Sequence, residues 1–205
     1  GEDRRGAKGR RTRKNKRRHM RRQRMVTLEA ILERNNLNRA YKQVKANRGG
    51  PGVDGMTVDE FLDYLRAHAV EIVETVKAGK YKPQPVRRVM IPKEEKGKFR
   101  PLGIPTAVDR VIQQAIAQKL SDEYEPVFSL HSHGFRPCRS CRTAIDEALD
   151  IANQGYVWVV DLDLSKFFDT VNHSKLLQLL SDKLKDGRVV SLIHKILRAP
   201  IQEGD

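Results

Sequence analysis

Apolar residues recur at helical spacing along much of this chain. Leu28, Ile31, Leu32, Ala40, Tyr41 and Val44 follow a period near 3.6 residues, interrupted around Asn35 and Asn36. Thr57 and Glu60 have capping-box spacing and predict a helix from there to about His68. Thr106 is placed to cap a helix whose Val108, Val111, Ile112, Ala115, Ile116 and Leu120 form one apolar face. Ser140 opens another, with Ala144, Ile145, Ala148, Leu149 and Ala152 on its inner face. Asn172 or Ser174 caps a further helix that turns Leu176, Leu177, Leu180 and Leu184 inward.

Other stretches forbid helix. "NRGGPGVDG" (residues 47–55) is a glycine-dense loop, and "HSHGFRPCRS" (residues 131–140) is a second loop. In "YKPQPVRRVMIPK", Pro83 and Pro85 exclude helix while Val86, Val89 and Ile91 favour a strand. "EEKGK" then reads as a polar turn and "FRPLGIP" as a return strand. "GYVWVVDLDL" gives the strongest strand signal and reads as buried. "RAPIQEGD" starts another extended segment. The pattern predicts an α+β fold without internal repeats, with two early strands and one central late strand. No segment supplies the strands that would flank residues 157–164, so the sheet is expected to be truncated before it is complete.

Charge is concentrated at one end. The 205 residues carry a net charge of +14, with 39% hydrophobic and 32% charged residues, and a pI near 10.0. That balance fits one sizeable domain or two small ones with a polyanionic partner, either nucleic acid or an anionic membrane surface. Roughly half of the first 24 residues are Lys or Arg. Residues 1–24 are therefore expected to form a disordered basic tail. Its Arg10, Arg11, Arg13, Lys14, Lys16, Arg17, Arg18, Arg21 and Arg22 are candidate RNA contacts with strong salt dependence. No apolar run approaches the roughly 18 residues of a membrane span, so no membrane partner is expected. Two cysteines and no visible signal peptide point to a reducing cytoplasm.

The late strand carries the chemistry. Asp161 and Asp163 lie two residues apart, on one face of a strand. Buried carboxylates need a partner, and a carboxylate at a strand end is a hard oxygen ligand suited to Mg2+ held jointly with phosphates. Three enzyme classes place Asp-x-Asp after an apolar strand. A haloacid-dehalogenase-type phosphatase carries it near the start of its domain, whereas here it falls in the last quarter. A nucleotide-sugar transferase leaves the basic tail unexplained. A template-directed polymerase accounts for both.

Four blocks in order then resemble a bacterial group II intron reverse transcriptase, or maturase. "NRGGPGVDGMTVDEF" resembles the family's extra N-terminal block. "RRVMIPK…GKFRPLGIPTAVDRVIQQAI" and "HSHGFRPCRSCRTAI" resemble its two fingers blocks, and "VVDLDLSKFFDTVNH" its first palm block. The resemblance spans about residues 28 to 200. It implies a right-hand polymerase, with an N-terminal extension and fingers over residues 25–155 and the start of the palm over 156–205.

By this resemblance Asp163 is the first metal-binding aspartate and Leu164 lends its carbonyl to a second Mg2+ ion of the complete site. Asp161 supports it. Lys93 and Arg100 match residues that clamp the incoming triphosphate. Ser165, Lys166, Phe167 and Phe168 complete the dNTP-binding group, with Phe168 excluding a 2′-hydroxyl. Arg87 is a template contact. The implied partners are group II intron RNA, an RNA template with a DNA primer, and dNTPs, in a bacterial cytoplasm. An exposed edge beside residues 157–164 would allow a homodimer.

Two departures qualify the resemblance. Cys138 and Cys141 follow His131 and His133, four potential zinc ligands within eleven residues. The fingers block already accounts for that stretch and a second separated pair is lacking, so no zinc is expected. The family's Tyr-x-Asp-Asp, which supplies the remaining catalytic carboxylates, does not occur in these 205 residues. This stretch alone is therefore expected not to polymerise. A rival reading makes it an RNA-binding splicing cofactor, and retron-type or diversity-generating reverse transcriptases are a weaker alternative within the same chemistry.

Overall fold

The structure is a computed structural model that describes residues 26–203. The basic residues from Arg10 to Arg22 lie outside it. Helix α1 (Leu28–Ile31) starts where the Thr27 hydroxyl accepts the Ala30 N–H. Helix α2 (Arg34–Ala46) follows. The break thus falls at Leu32 and Glu33 rather than at the two asparagines. Asn36 is buried inside α2, where its amide donates to the Ile31 and Ala115 carbonyls at 2.8 and 3.0 Å. A residue expected to interrupt a helix instead satisfies two backbone acceptors.

The Thr57 and Glu60 capping box forms reciprocally, with N–H to side-chain distances of 2.9 and 3.3 Å. It leads into α3 (Phe61–Lys77), which continues well past His68. No breaker stands between His68 and Gly79, and Ile72, Val73 and Val76 keep the apolar period. The helix stops where Gly79 takes φ +67°. There the Gly79 and Lys80 N–H groups close on the Val76 and Thr75 carbonyls.

Strands β1 (Val86–Pro92) and β2 (Phe99–Ile104) form an antiparallel hairpin across the polar turn. Helix α4 (Ala107–Tyr124) follows, capped by Thr106 as its sequence predicts. A short 3-10 helix (Glu125–Val127) leads into the second loop. Then come α5 (Cys141–Asn153), α6 (Phe167–Thr170), α7 (His173–Lys183) and α8 (Gly187–Leu197). Strand β3 (Ile201–Gln202) pairs in parallel with β1, giving the order β2-β1-β3. The fold is mixed α+β with this small sheet.

The core is helical. Val26, Leu28, Phe61, Val111, Ile112, Ala115, Val189 and Leu192 belong to one buried cluster drawn from α1 to α4, α7 and α8. Neither β1 nor β2 contributes a fully buried residue. Leu28 N–H donates to Asp186 Oδ2 at 3.0 Å, and Arg188 forks onto Glu29, so the first helix is tied to the last.

Two expectations fail. The face of α5 is open: Ile145 and Leu149 are more than half exposed, and the helix has no buried residue. Residues 156–164 form no strand and are not buried, with Trp158 93% and Val159 89% exposed. A strand needs a ladder partner and a covering layer, and the described residues supply neither to this stretch. No β edge exists there for a second copy to extend. The late strand is β3 instead.

Candidate functional site

Three basic residues converge through strand parity. Residues opposite each other in an antiparallel pair share a face, and faces alternate along each strand. The register pairs Arg87 with Ile104 and Ile91 with Arg100. The hairpin continues past the strand end, where Lys93 N–H donates to the Lys98 carbonyl at 2.8 Å. Arg87, Lys93 and Arg100 therefore lie on one face. Arg88 lies on the other, paired with Glu203. Lys93 and Arg100 are exposed, while Arg87 is half-buried.

Arg87 also has a structural partner. Its Nε donates to the Pro51 carbonyl at 3.1 Å, which fastens the glycine-rich loop to β1. On its other side that loop touches the start of α4. A Cβ on Gly52 would stand 2.7 Å from the Thr106 Cα and 2.8 Å from its nitrogen, so only glycine fits.

The root of the hairpin is held by a residue that the sequence reading did not single out. Asp109 is 2% exposed and accepts from Thr106 Oγ1 at 2.7 Å, Tyr81 OH at 2.5 Å and Gln84 N–H at 3.1 Å. Burial, reinforced by this carboxylate, pushes the Tyr81 phenol far above the usual tyrosine range. Thr106 and Asp109, three residues apart beside a helix start, carried a legible signal.

Arg110 was also missed. Its Nε and Nη2 are buried without a hydrogen-bond partner among the described residues. Arg110 also lines a cavity of about 250 Å3 with Val44, Asn47, Gln113, Gln114 and Ala117. Burial lowers the Arg110 pKa, and Asp54 opposes that shift. Unpaired buried donors are costly, which marks this guanidinium as a group lacking an acceptor.

The second loop is held from within. Arg136, with a side chain only 6% exposed, forks onto Glu125 and donates to the Ser129 and Ser132 carbonyls. Hydrogen bonding from Arg136 lowers the Glu125 pKa. Arg139 N–H closes a turn onto the Arg136 carbonyl, with Cys138 at φ +60°. Pro137 before a left-handed residue makes this a type II turn, in which Cys138 stands where glycine is usual. The two histidines engage Glu147, and both cysteines are free and exposed.

Asp161, Asp163, Leu164, Ser165 and Lys166 are all exposed. Lys166 takes φ +51° and starts α6. It turns the chain so that the Phe167 and Phe168 rings sit 5.8 Å apart, with Phe168 88% exposed. Asp163 and the Leu164 carbonyl are hard oxygen donors, which suits Mg2+ as part of a ligand set. Among the described residues no three acidic, histidine or cysteine side chains gather into a metal site. No hydrogen bond or ion pair among them joins Asp163 to Lys93, Arg100 or Arg87.

Comparison with known proteins assigns a family to the stretch that holds these residues. The family model for reverse transcriptase (RNA-dependent DNA polymerase) matches residues 91–203, which include Lys93, Arg100 and Asp163. Group II intron-encoded protein LtrA of Lactococcus lactis subsp. cremoris is 40% identical over 160 residues, 78% of this chain and 26% of that protein. Protein YkfC of Escherichia coli (strain K12) is 37% identical over 153 residues, 73% of this chain and 40% of that protein. The chain thus spans about a quarter of the length of LtrA. A chain of the partial Cas6-RT-Cas1–Cas2 complex superposes with a TM-score of 0.52 at 20% identity, covering 82% of this chain and 27% of that one, and so shares the fold. With more than half of its length matched by the family model, this chain belongs to the reverse transcriptase (RNA-dependent DNA polymerase) family and is a homologue of group II intron-encoded proteins.

Proposed function

We propose that this chain forms the fingers and the start of the palm of a group II intron-encoded polymerase that copies RNA into DNA and binds intron RNA to assist splicing. The observation that carries this reading is the shared face of Arg87, Lys93 and Arg100 on the β1–β2 hairpin. Three cations on one face of an exposed hairpin suit a polyphosphate. Arg100 offers a planar fork, and Lys93 offers a point charge.

In this reading Lys93 and Arg100 orient the triphosphate of the incoming nucleotide. Phe168 sits against its sugar and excludes a 2′-hydroxyl by bulk, with Ser165, Lys166 and Phe167 shaping the same turn. Arg87 holds the glycine-rich loop and lies beside the template. Asp163 and the Leu164 carbonyl would hold Mg2+, with Asp161 in support. When bound, such ions neutralise charge that develops on the reacting phosphate. Positioning by the hairpin lowers the barrier without covalent participation by the protein. The polymerase activity and its partners belong to the longer protein.

The test uses the full-length protein and compares two faces of one hairpin. Lys93→Ala and Arg100→Ala are each expected to raise the KM for dNTP about tenfold or more, as loss of a charge-assisted contact predicts. Arg88→Ala, on the opposite face, is expected to leave it unchanged. Equal effects from both faces would contradict the assignment.

A further inference from the structure

The β1–β2 hairpin carries Lys93 and Arg100 far from its base. From Gln84 through β1 to Lys93 the chain spans up to about 30 Å, at roughly 3.3 Å per residue. Neither strand adds a fully buried residue to the core, so packing does not fix the far end. Its pose is set at the base, where the two strands meet the helical body.

One carboxylate oxygen serves both strands there. Asp109 Oδ2 accepts the Gln84 N–H at 3.1 Å, just before β1 begins at Val86. The same oxygen accepts the Thr106 hydroxyl at 2.7 Å, just after β2 ends at Ile104. The other oxygen, Oδ1, accepts from Tyr81 OH, which orients the carboxylate. Asp109 is 2% exposed and sits in the first turn of α4, a helix whose inner face lies in the core. The other ties at the base engage β1. Val86 N–H donates to the Pro200 carbonyl, Arg87 donates to the Pro51 carbonyl, and Arg88 pairs with Glu203. Asp109 joins the roots of both strands at one point.

We propose that Asp109 is a positioning residue for triphosphate binding, holding both roots of the hairpin so that Lys93 and Arg100 stand where the phosphates arrive. This role rests on the reading of Lys93 and Arg100 as the triphosphate clamp. The lever is long. A rotation of about 3° at the base displaces a group about 30 Å away by roughly 1.5 Å. A misplacement of about 1 Å, even from a change far from the chemistry, can cost on the order of a hundredfold. Asp109 touches neither nucleotide nor metal in this reading, and it acts through the hairpin.

Primer extension by the full-length protein on an RNA template, with dNTP concentration varied, tests this role. Asp109→Ala is expected to raise the KM for dNTP about tenfold. Thr106→Val, which keeps the side-chain shape but removes the hydroxyl, should raise it about threefold. That second variant carries the test if Asp109→Ala fails to fold. Thr106→Ser keeps the hydroxyl and should keep the parent KM. Most of the loss should fall on KM rather than kcat, as removal of uniform binding predicts. With Lys93→Ala and Arg100→Ala already present, neither Asp109→Ala nor Thr106→Val should raise KM further, since the groups they position are gone. Equal effects in both backgrounds, or a loss confined to kcat, would mark a purely structural role and overturn the assignment. So would a KM that Lys93→Ala and Arg100→Ala raise but Asp109→Ala and Thr106→Val leave unchanged. A KM unmoved by Lys93→Ala and Arg100→Ala would bring down the clamp reading, and the role of Asp109 with it.

Discussion

Tyr81 and Asp109, 28 residues apart, meet through a 2.5 Å hydrogen bond from the phenol to a buried carboxylate. The same carboxylate takes the Gln84 N–H and the Thr106 hydroxyl, so one side chain joins the segment leading into the hairpin to the helix leaving it. Tyr81→Phe is expected to lower stability by about 1 kcal/mol, the net worth of a typical hydrogen bond. Asp109→Ala leaves several donors unpaired and should cost about 3 kcal/mol or more. Urea denaturation of the chain measures both.

That pair also has a pH signature. The folded state keeps the Tyr81 proton above the ordinary tyrosine value of 10.0, where the unfolded chain releases it. Stability from this group is complete below that value and falls as pH rises beyond it. Tyr81→Phe should flatten the alkaline limb of a stability-against-pH curve.

Gly52 lies against the backbone of Thr106, and backbone atoms cannot swing aside as a flexible side chain does. Gly52→Ala should therefore destabilise the chain by about 1–3 kcal/mol. It should also free the loop from α4, which limited proteolysis within residues 47–55 would detect.

Arg110 gives an effect of the opposite sign. Its buried Nε and Nη2 lack partners, so Arg110→Met should leave the chain as stable as before or raise its melting temperature.

The sequence was most informative where local chemistry decides the structure. Thr57 with Glu60, Thr106, Ser140 and Asn172 mark their helix starts through cap hydrogen bonds within three residues. The two early strands follow from prolines and β-branched residues that flank a polar turn. Longer-range facts were not legible. Asn36 looks like a helix breaker unless Ala115 is known to lie opposite. Residues 156–164 have strand composition, yet composition supplies no ladder partner. The shared face of Arg87, Lys93 and Arg100 depends on hairpin register, which the sequence leaves open. Only family resemblance singles out Asp163, because neither burial nor a neighbouring charge distinguishes it from Asp161.

That last distinction is also the most direct test. Primer extension on an RNA template should be measured for the full-length protein carrying Asp163→Ala or Asp161→Ala, alongside binding to intron RNA. Loss of extension by Asp163→Ala, with RNA binding intact and Asp161→Ala only partly impaired, is the expected result. Extension by Asp163→Ala at the level of the unmodified protein would contradict the proposed active site.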